Sequence, residues 1–121
     1  MLKEYRKEQR KIAMGLLSFH QNLTEYQSLL KEIDMYETSP QLHLYFWNPE
    51  QTSNIQGIVG VEINQELATV VIHDISLTPS YRGEQIGYLL LDELLALYPD
   101  YIVMGTVATS NYLAKWKTYK S

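Results

Sequence analysis

Three apolar runs, LHLYFW (42–47), NIQGIVGVEI (54–63) and LATVVIHDISL (67–77), follow one another with only short joins. The first is too short for a helix and closes on Asn48-Pro49, and the other two are rich in Val and Ile. All three therefore read as strands. The last two are joined by the turn-like Asn64-Gln65-Glu66. Parallel neighbours would need a crossover of a dozen or so residues, so the three make an antiparallel meander.

Helical patterns flank this meander. Ile12, Leu16 and Phe19, with Ala13 and Leu17 beside them, predict a first helix near 6–19, and Leu2–Tyr5 before it reads as a short strand. Asn22 followed by Glu25 reads as a capping box. It would open a second helix whose buried stripe is Leu23, Tyr26, Leu29, Leu30 and Ile33, stopped at Ser39-Pro40. Downstream, Ile86, Leu90, Leu94 and Leu97 line a helix over about 84–97, ended by Tyr98-Pro99-Asp100. YIVMGTV (101–107) is a further strand and SNYLAKWKTYK a final helix. This order gives one α+β domain over residues 1–121, with a single parallel crossover between strands 67–77 and 101–107.

Composition excludes several classes of function. The chain has no cysteine, which removes disulfides, thiolate metal sites and a cysteine nucleophile. No apolar stretch approaches the ~20 residues that cross a bilayer, and MLKEYRKEQRK lacks a signal-peptide apolar region, so a cytoplasmic protein without membrane contact is expected. A net charge of −4 argues against a nucleic-acid partner. The charge is uneven: Lys3, Arg6, Lys7, Arg10 and Lys11 crowd the N-terminus, and Lys115, Lys117 and Lys120 the C-terminus. Such runs are solvated helix faces or meet an anionic ligand.

The stretch LTPSYRGEQIGYLLLDELLALYP (77–99) places Arg82, Gly83 and Gly87 at the mouth of a helix. Glycine inside a helix costs roughly 1 kcal/mol against alanine, so something should offset it. A helix that opens straight after a strand presents free N–H groups and the positive end of its dipole, a ready anion site. Arg82 adds a charge-assisted donor. A pyrophosphate uses such a convergence best. The plainer alternative is a turn in which Gly83 takes a positive φ and Arg82 is solvated.

Arg82-Gly83-Glu84-Gln85-Ile86-Gly87 resembles the acetyl-CoA signature of the GNAT acetyltransferase superfamily, Arg/Gln-x-x-Gly-x-Gly/Ala at a strand–helix junction, and Leu77-Thr78-Pro79 stands where that family commonly has an apolar residue, any residue and proline. The order of elements matches over nearly the whole chain. More narrowly, IAMGLLSF (12–19), followed by a helix and a Tyr-Phe-Trp strand, is similar to the RibT proteins of bacterial riboflavin operons. Three departures stand out. Gln85 occupies the place of the signature's first glycine. Asn111 and Ala114 match an Asn-x-x-Ala pattern, but the tyrosine that often serves as general acid falls on Thr118, with Tyr119 one residue further and Tyr112 earlier. The chain stops at Ser121, whereas family members usually continue through one or two strands that wall the acceptor pocket. A homodimer covering the edge of strand 101–107 is the expectation that follows from that.

The resemblance implies direct transfer of acetyl from acetyl-CoA, as co-substrate, to an amine of a small molecule or protein, with riboflavin metabolism as the implied setting. Arg82, Gly83, Glu84, Gln85, Ile86, Gly87 and Tyr88, with Asn111, would hold the CoA. Ile75 and Leu77 would offer main-chain groups to the thioester and pantetheine. The amine must lose a proton, and His73, Asp74 and Glu62 are the candidate bases. Strand alternation lets only one of His73 and Asp74 face the cleft. Asp74 is favoured slightly, since it directly precedes Ile75 and a carboxylate near the cleft mouth could accept a proton through one water. His43 reads as a core or edge residue and His20 as a helix end. No two histidines lie at i, i+3 or i+4, so no metal is expected. Tyr45, Phe46 and Trp47 raise an alternative, a non-catalytic CoA- or flavin-binding regulatory module; alternating packing into the core competes with it.

Overall fold

In a computed structural model, which describes residues 1–19, 25–49, 54–81 and 84–120 (Glu84 by its backbone alone), the three apolar runs form β2 (Leu42–Trp47), β3 (Gly57–Asn64) and β4 (Thr69–Leu77). They pair antiparallel in chain order. β1 (Leu2–Glu4) joins the outer side of β2 antiparallel, and β5 (Ile102–Gly105) joins β4 parallel, giving the order β1-β2-β3-β4-β5. The helices are α1 (Arg10–Leu17), α2 (Tyr26–Thr38), α3 (Glu84–Leu97), which makes the crossover, and α4 (Ser110–Lys120). The result is the expected α+β fold, a mostly antiparallel sheet with one parallel pair and helices on both faces.

Alternation along β2 shows how the sheet divides two cores. Leu44 and Phe46 pack with Ala13, Leu16, Leu17, Leu29 and Ile33 of α1 and α2. Tyr45 and Trp47 point the other way, into Val59, Val61, Val70 and Ile72 and the Leu90, Leu91, Leu94, Leu113 and Trp116 of α3 and α4. Their polar tips find partners, Tyr45 Oη at 2.6 Å from Tyr98 Oη and Trp47 Nε1–H donating to Glu93 Oε2 at 2.6 Å. With Tyr45, Phe46 and Trp47 only 8%, 1% and 1% exposed, this strand has no aromatic face left to stack a flavin. Core packing uses all three rings.

Several sequence expectations shift at the element ends. The first helix begins only at Arg10, after a 3-10 turn at Lys7–Gln9, and buries Ala13, Leu16 and Leu17. Ile12 and Phe19 are exposed, because this tight i, i+3, i+4 triple already fills the contact with the sheet. In α2 the buried stripe is Leu29, Ile33 and Tyr36, while Tyr26 faces solvent. Glu25 caps α2 without a side-chain hydrogen bond; Asn22 and Leu23 of the expected capping box, and His20, lie outside the described residues. Tyr88 and Leu91 replace Leu97 on the inner face of α3. The β3–β4 turn, residues 65–68, is one residue longer than expected and ends on Ala68 at φ 50°, in the left-handed region. β5 ends at Gly105 instead of 107.

Arg10 of the N-terminal run and Lys117 and Lys120 of the C-terminal run have structural partners. Arg10 bonds Asp34 at 2.6 Å and Glu37 at 3.2 Å, and Tyr5 donates to Glu37 at 2.6 Å, tying α1 and β1 to α2. Lys117 Nζ donates to the outward carbonyl of Val103 at 2.8 Å, covering part of the free edge of β5. No helix among the described residues is long and apolar enough to cross a membrane. The shifted stripe of α1 is testable by urea unfolding. Leu17→Ala should cost about 2–5 kcal/mol, and Ile12→Ala no more than about 0.5 kcal/mol.

Candidate active site at a bulge in β4

β5 pairs with β4 only from Thr69 to Ile72. There Thr109, just ahead of α4, donates from Oγ1 to the Ile72 carbonyl at 2.7 Å and accepts from Thr106 N–H at 2.9 Å. The cap of α4 thus ends the ladder. On the other side of β4, Val61 lies opposite Ile72 but Gly60 lies opposite Asp74. His73 is an extra residue with no partner in β3, a β-bulge.

The bulge reverses the alternation of β4. Val70 and Ile72 belong to the core under α3 and α4, and so, beyond the bulge, do Ile75 and Leu77. Asp74 and Ser76 point to the opposite face. Tyr36 Oη–H of α2 donates to Asp74 Oδ2 at 2.6 Å, and Ser76 Oγ–H donates to the Leu16 carbonyl of α1 at 2.6 Å. His73 shares this face, with Nε2 at 2.8 Å from Oε1 of Glu62. Strict alternation of His73 and Asp74 is therefore corrected: one inserted residue gathers His73, Asp74 and Glu62 on the face covered by α1 and α2.

The three candidates differ in environment. Asp74 is 2% exposed, whereas the side chains of His73 and Glu62 are 26% and 49% exposed. Burial first, then the adjacent Asp74 charge, pushes the Tyr36 phenol far above its ordinary range. It stays protonated and acts as a donor.

Main-chain groups complete the site. Thr78 N–H donates to Gln56 O at 2.9 Å, so Thr78 faces β3. By alternation Ile75 and Leu77 turn their N–H and C=O groups the other way, to the edge that β5 no longer pairs. A 3-10 turn, Pro79–Tyr81, leads towards α3. Arg82 and Gly83 lie outside the described residues, as does the side chain of Glu84. Gln85 is exposed, Ile86 half-buried, and Gly87 and Tyr88 buried. A Cβ on Gly87 would run into the hydroxyl of Tyr112, so this glycine has a packing reason of its own. Tyr112 and Tyr119, seven residues apart on α4, place their rings 5.5 and 5.0 Å from that of Tyr88. Asn111 is exposed in the first turn of α4, and Thr118 is exposed as well. Among the described residues no three His, Asp or Glu side chains gather closely enough to hold a metal ion.

Tyr36, Ser76 and Thr109 do not stand out in the sequence as site residues. Tyr36 carries a signal, since it continues the Leu29–Ile33 stripe by one step of three; the other two carry none. Gly87→Ala should destabilise the fold by about 1–3 kcal/mol by displacing Tyr112. Adding Tyr112→Phe should recover part of that loss, with a coupling of about 0.5 kcal/mol or more in a double-mutant cycle read by thermal unfolding.

Residues 7–120 match the acetyltransferase (GNAT) family. Over 115 residues the chain is 36% identical to an uncharacterized N-acetyltransferase from the lysA 3′ region of Bacillus methanolicus, covering 95% of this chain and 93% of that one. Among solved structures it is similar to the aminoglycoside N-acetyltransferase AAC(6′)-Iy in complex with CoA, with a TM-score of 0.66 at 12% identity over 99% of this chain and 84% of that one. Aminoglycoside 6′-acetyltransferase type Ii aligns with a TM-score of 0.62 at 16% identity, over 82% of this chain and 64% of its own, so this chain spans less than two thirds of that enzyme. The structural likenesses establish the fold; the match along nearly the full sequence establishes the lineage, and the chain belongs to the GNAT acetyltransferase family.

Proposed function

We propose that this protein is a cytoplasmic, acetyl-CoA-dependent N-acetyltransferase whose amine acceptor is deprotonated by the His73–Glu62 pair. The observation that carries the reading is the bulge, which joins a free main-chain edge at Ile75 and Leu77 to a half-exposed imidazole–carboxylate pair on the same few residues. The pantetheine of acetyl-CoA would add to that edge like a further strand, and its pyrophosphate would lie at the α3 N-terminus, among residues 82–88, with Asn111 beside it.

His73 suits the base better than Asp74. With Nε2–H donating to Glu62, the ring keeps its lone pair on Nδ1, and that bond fixes its orientation. Asp74 is buried and already accepts from Tyr36. The amine nitrogen bonds to the thioester carbonyl carbon while its proton passes to Nδ1. Negative charge on the carbonyl oxygen meets a main-chain N–H of Ile75 or Leu77. The C–S bond then breaks with its electron pair on sulfur, and the CoA thiolate, a competent leaving group, takes a proton from water.

The acceptor is an amine of a small molecule or protein, and the RibT-like features direct the search to amines of riboflavin metabolism. A homodimer belongs to the same reading, supported by the exposed Ile102, Met104 and Val107 along and after β5. Acetyl-CoA with an amine panel, followed by thiol release, tests the function. CoA at 100 times its dissociation constant should add about 2.7 kcal/mol of stability, and an unchanged melting temperature overturns the binding site. His73→Ala should lower turnover about 10²–10⁴-fold with CoA affinity retained. Binding without transfer to any amine replaces the enzyme with a CoA-binding module.

A further inference from the structure

We infer that Tyr36 is a positioning residue of this site: its phenol clamps Asp74, and the clamp holds the bulge that aims His73 and the Ile75 main chain. This rests on the proposed function for its kinetic consequence, but not for its structural one.

The clamp is built from three elements. Tyr36 comes from α2, Asp74 from β4, and between them lies Gly60 of β3, directly opposite Asp74. A Cβ on Gly60 would run into the Tyr36 hydroxyl and ring, so the phenol fills the space that a β3 side chain would take. A regular ladder would continue the Val70–Ile72 alternation. Asp74 and Ser76 would then enter the apolar core under α3 and α4, and Ile75 and Leu77 would leave it. A carboxylate buried there without donors is strongly disfavoured. The inserted His73 avoids this, provided the other face receives Asp74. Tyr36 is that receiver, at 2.6 Å, as the Leu16 carbonyl is for Ser76.

The clamp also divides the labour among the three candidate bases. Asp74 is the anchor, and proton acceptance falls to His73 with Glu62. Among the described residues the ionisable groups on or beside this face include Glu62 of β3, His73 and Asp74 of β4, Tyr36 and Glu32 of α2, and Tyr5, which packs against the same core and donates to Glu37 beside Arg10.

Tyr36→Phe keeps the ring over Gly60 and removes only the hydroxyl. It should lower kcat about tenfold to a hundredfold while KM for acetyl-CoA moves less than about threefold, as expected for misplaced reacting groups. Asp74→Asn keeps the shape and can still accept from Tyr36. Its kcat should fall less than that of Tyr36→Phe. A loss of about 10²–10⁴-fold would make Asp74 the base and overturn the clamp. Unchanged kcat in Tyr36→Phe would overturn it too. A second arm needs no turnover. In substrate-free protein the Ile75 amide and the His73 ring nitrogens should shift in the NMR spectrum of Tyr36→Phe, and unmoved signals refute the clamp even if no amine is acetylated. Should Tyr36→Phe fail to fold, Gly60→Ala, which displaces the phenol without removing a polar group, is expected to move the same signals, and unmoved signals there refute the clamp equally.

Discussion

Strand β4 carries its core residues at 70, 72, 75 and 77, a spacing that no uninterrupted strand can bury on one face. The sequence Val-Val-Ile-His-Asp-Ile-Ser-Leu therefore demands one extra residue, and the sheet accommodates it by leaving His73 unpaired opposite Gly60 and Val61. Much follows from that insertion. Two polar side chains go to α1 and α2, two apolar ones return to α3 and α4, and among the described residues the main chain past the bulge runs beside β3 alone. Glycine at 60, tyrosine at 36 and threonine at 109 are each fitted to it.

The architecture is legible in the sequence because it rests on periodicity and on short joins. Residues 42–47 read as a strand from their apolar run and closing Asn48-Pro49, and Tyr98-Pro99 marks the end of α3 where the structure ends it. The errors fall where periodicity gives several equivalent answers. Ile12, Leu16 and Phe19 make as good a helical stripe as Ala13, Leu16 and Leu17. Only the position of the sheet, a tertiary fact, chooses between them.

The site is legible in part. The place of Gly87 in the first turn of α3 is read from local chemistry, while Arg82 and Gly83 of the same loop lie outside the described residues. The relation of His73 to Asp74 is misread when alternation is carried straight through the one place where it fails. The 2–3–2 spacing of Val70, Ile72, Ile75 and Leu77 holds the warning. Burial of Asp74, by contrast, depends on a tyrosine 38 residues away in sequence, and no local pattern reports it.

The two indoles of the protein sit in an unusual relation to α3. Trp47 on β2 and Trp116 on α4 are both buried, and their N–H groups donate to Glu93 and Asp92, neighbouring residues of that one helix. The middle of α3 thus holds both fluorophores in place. Any tilt of the helix alters the hydrogen bonding and the local field of each indole together. Intrinsic emission is thus a label-free gauge of how α3 is seated, with no tryptophan elsewhere to dilute the signal.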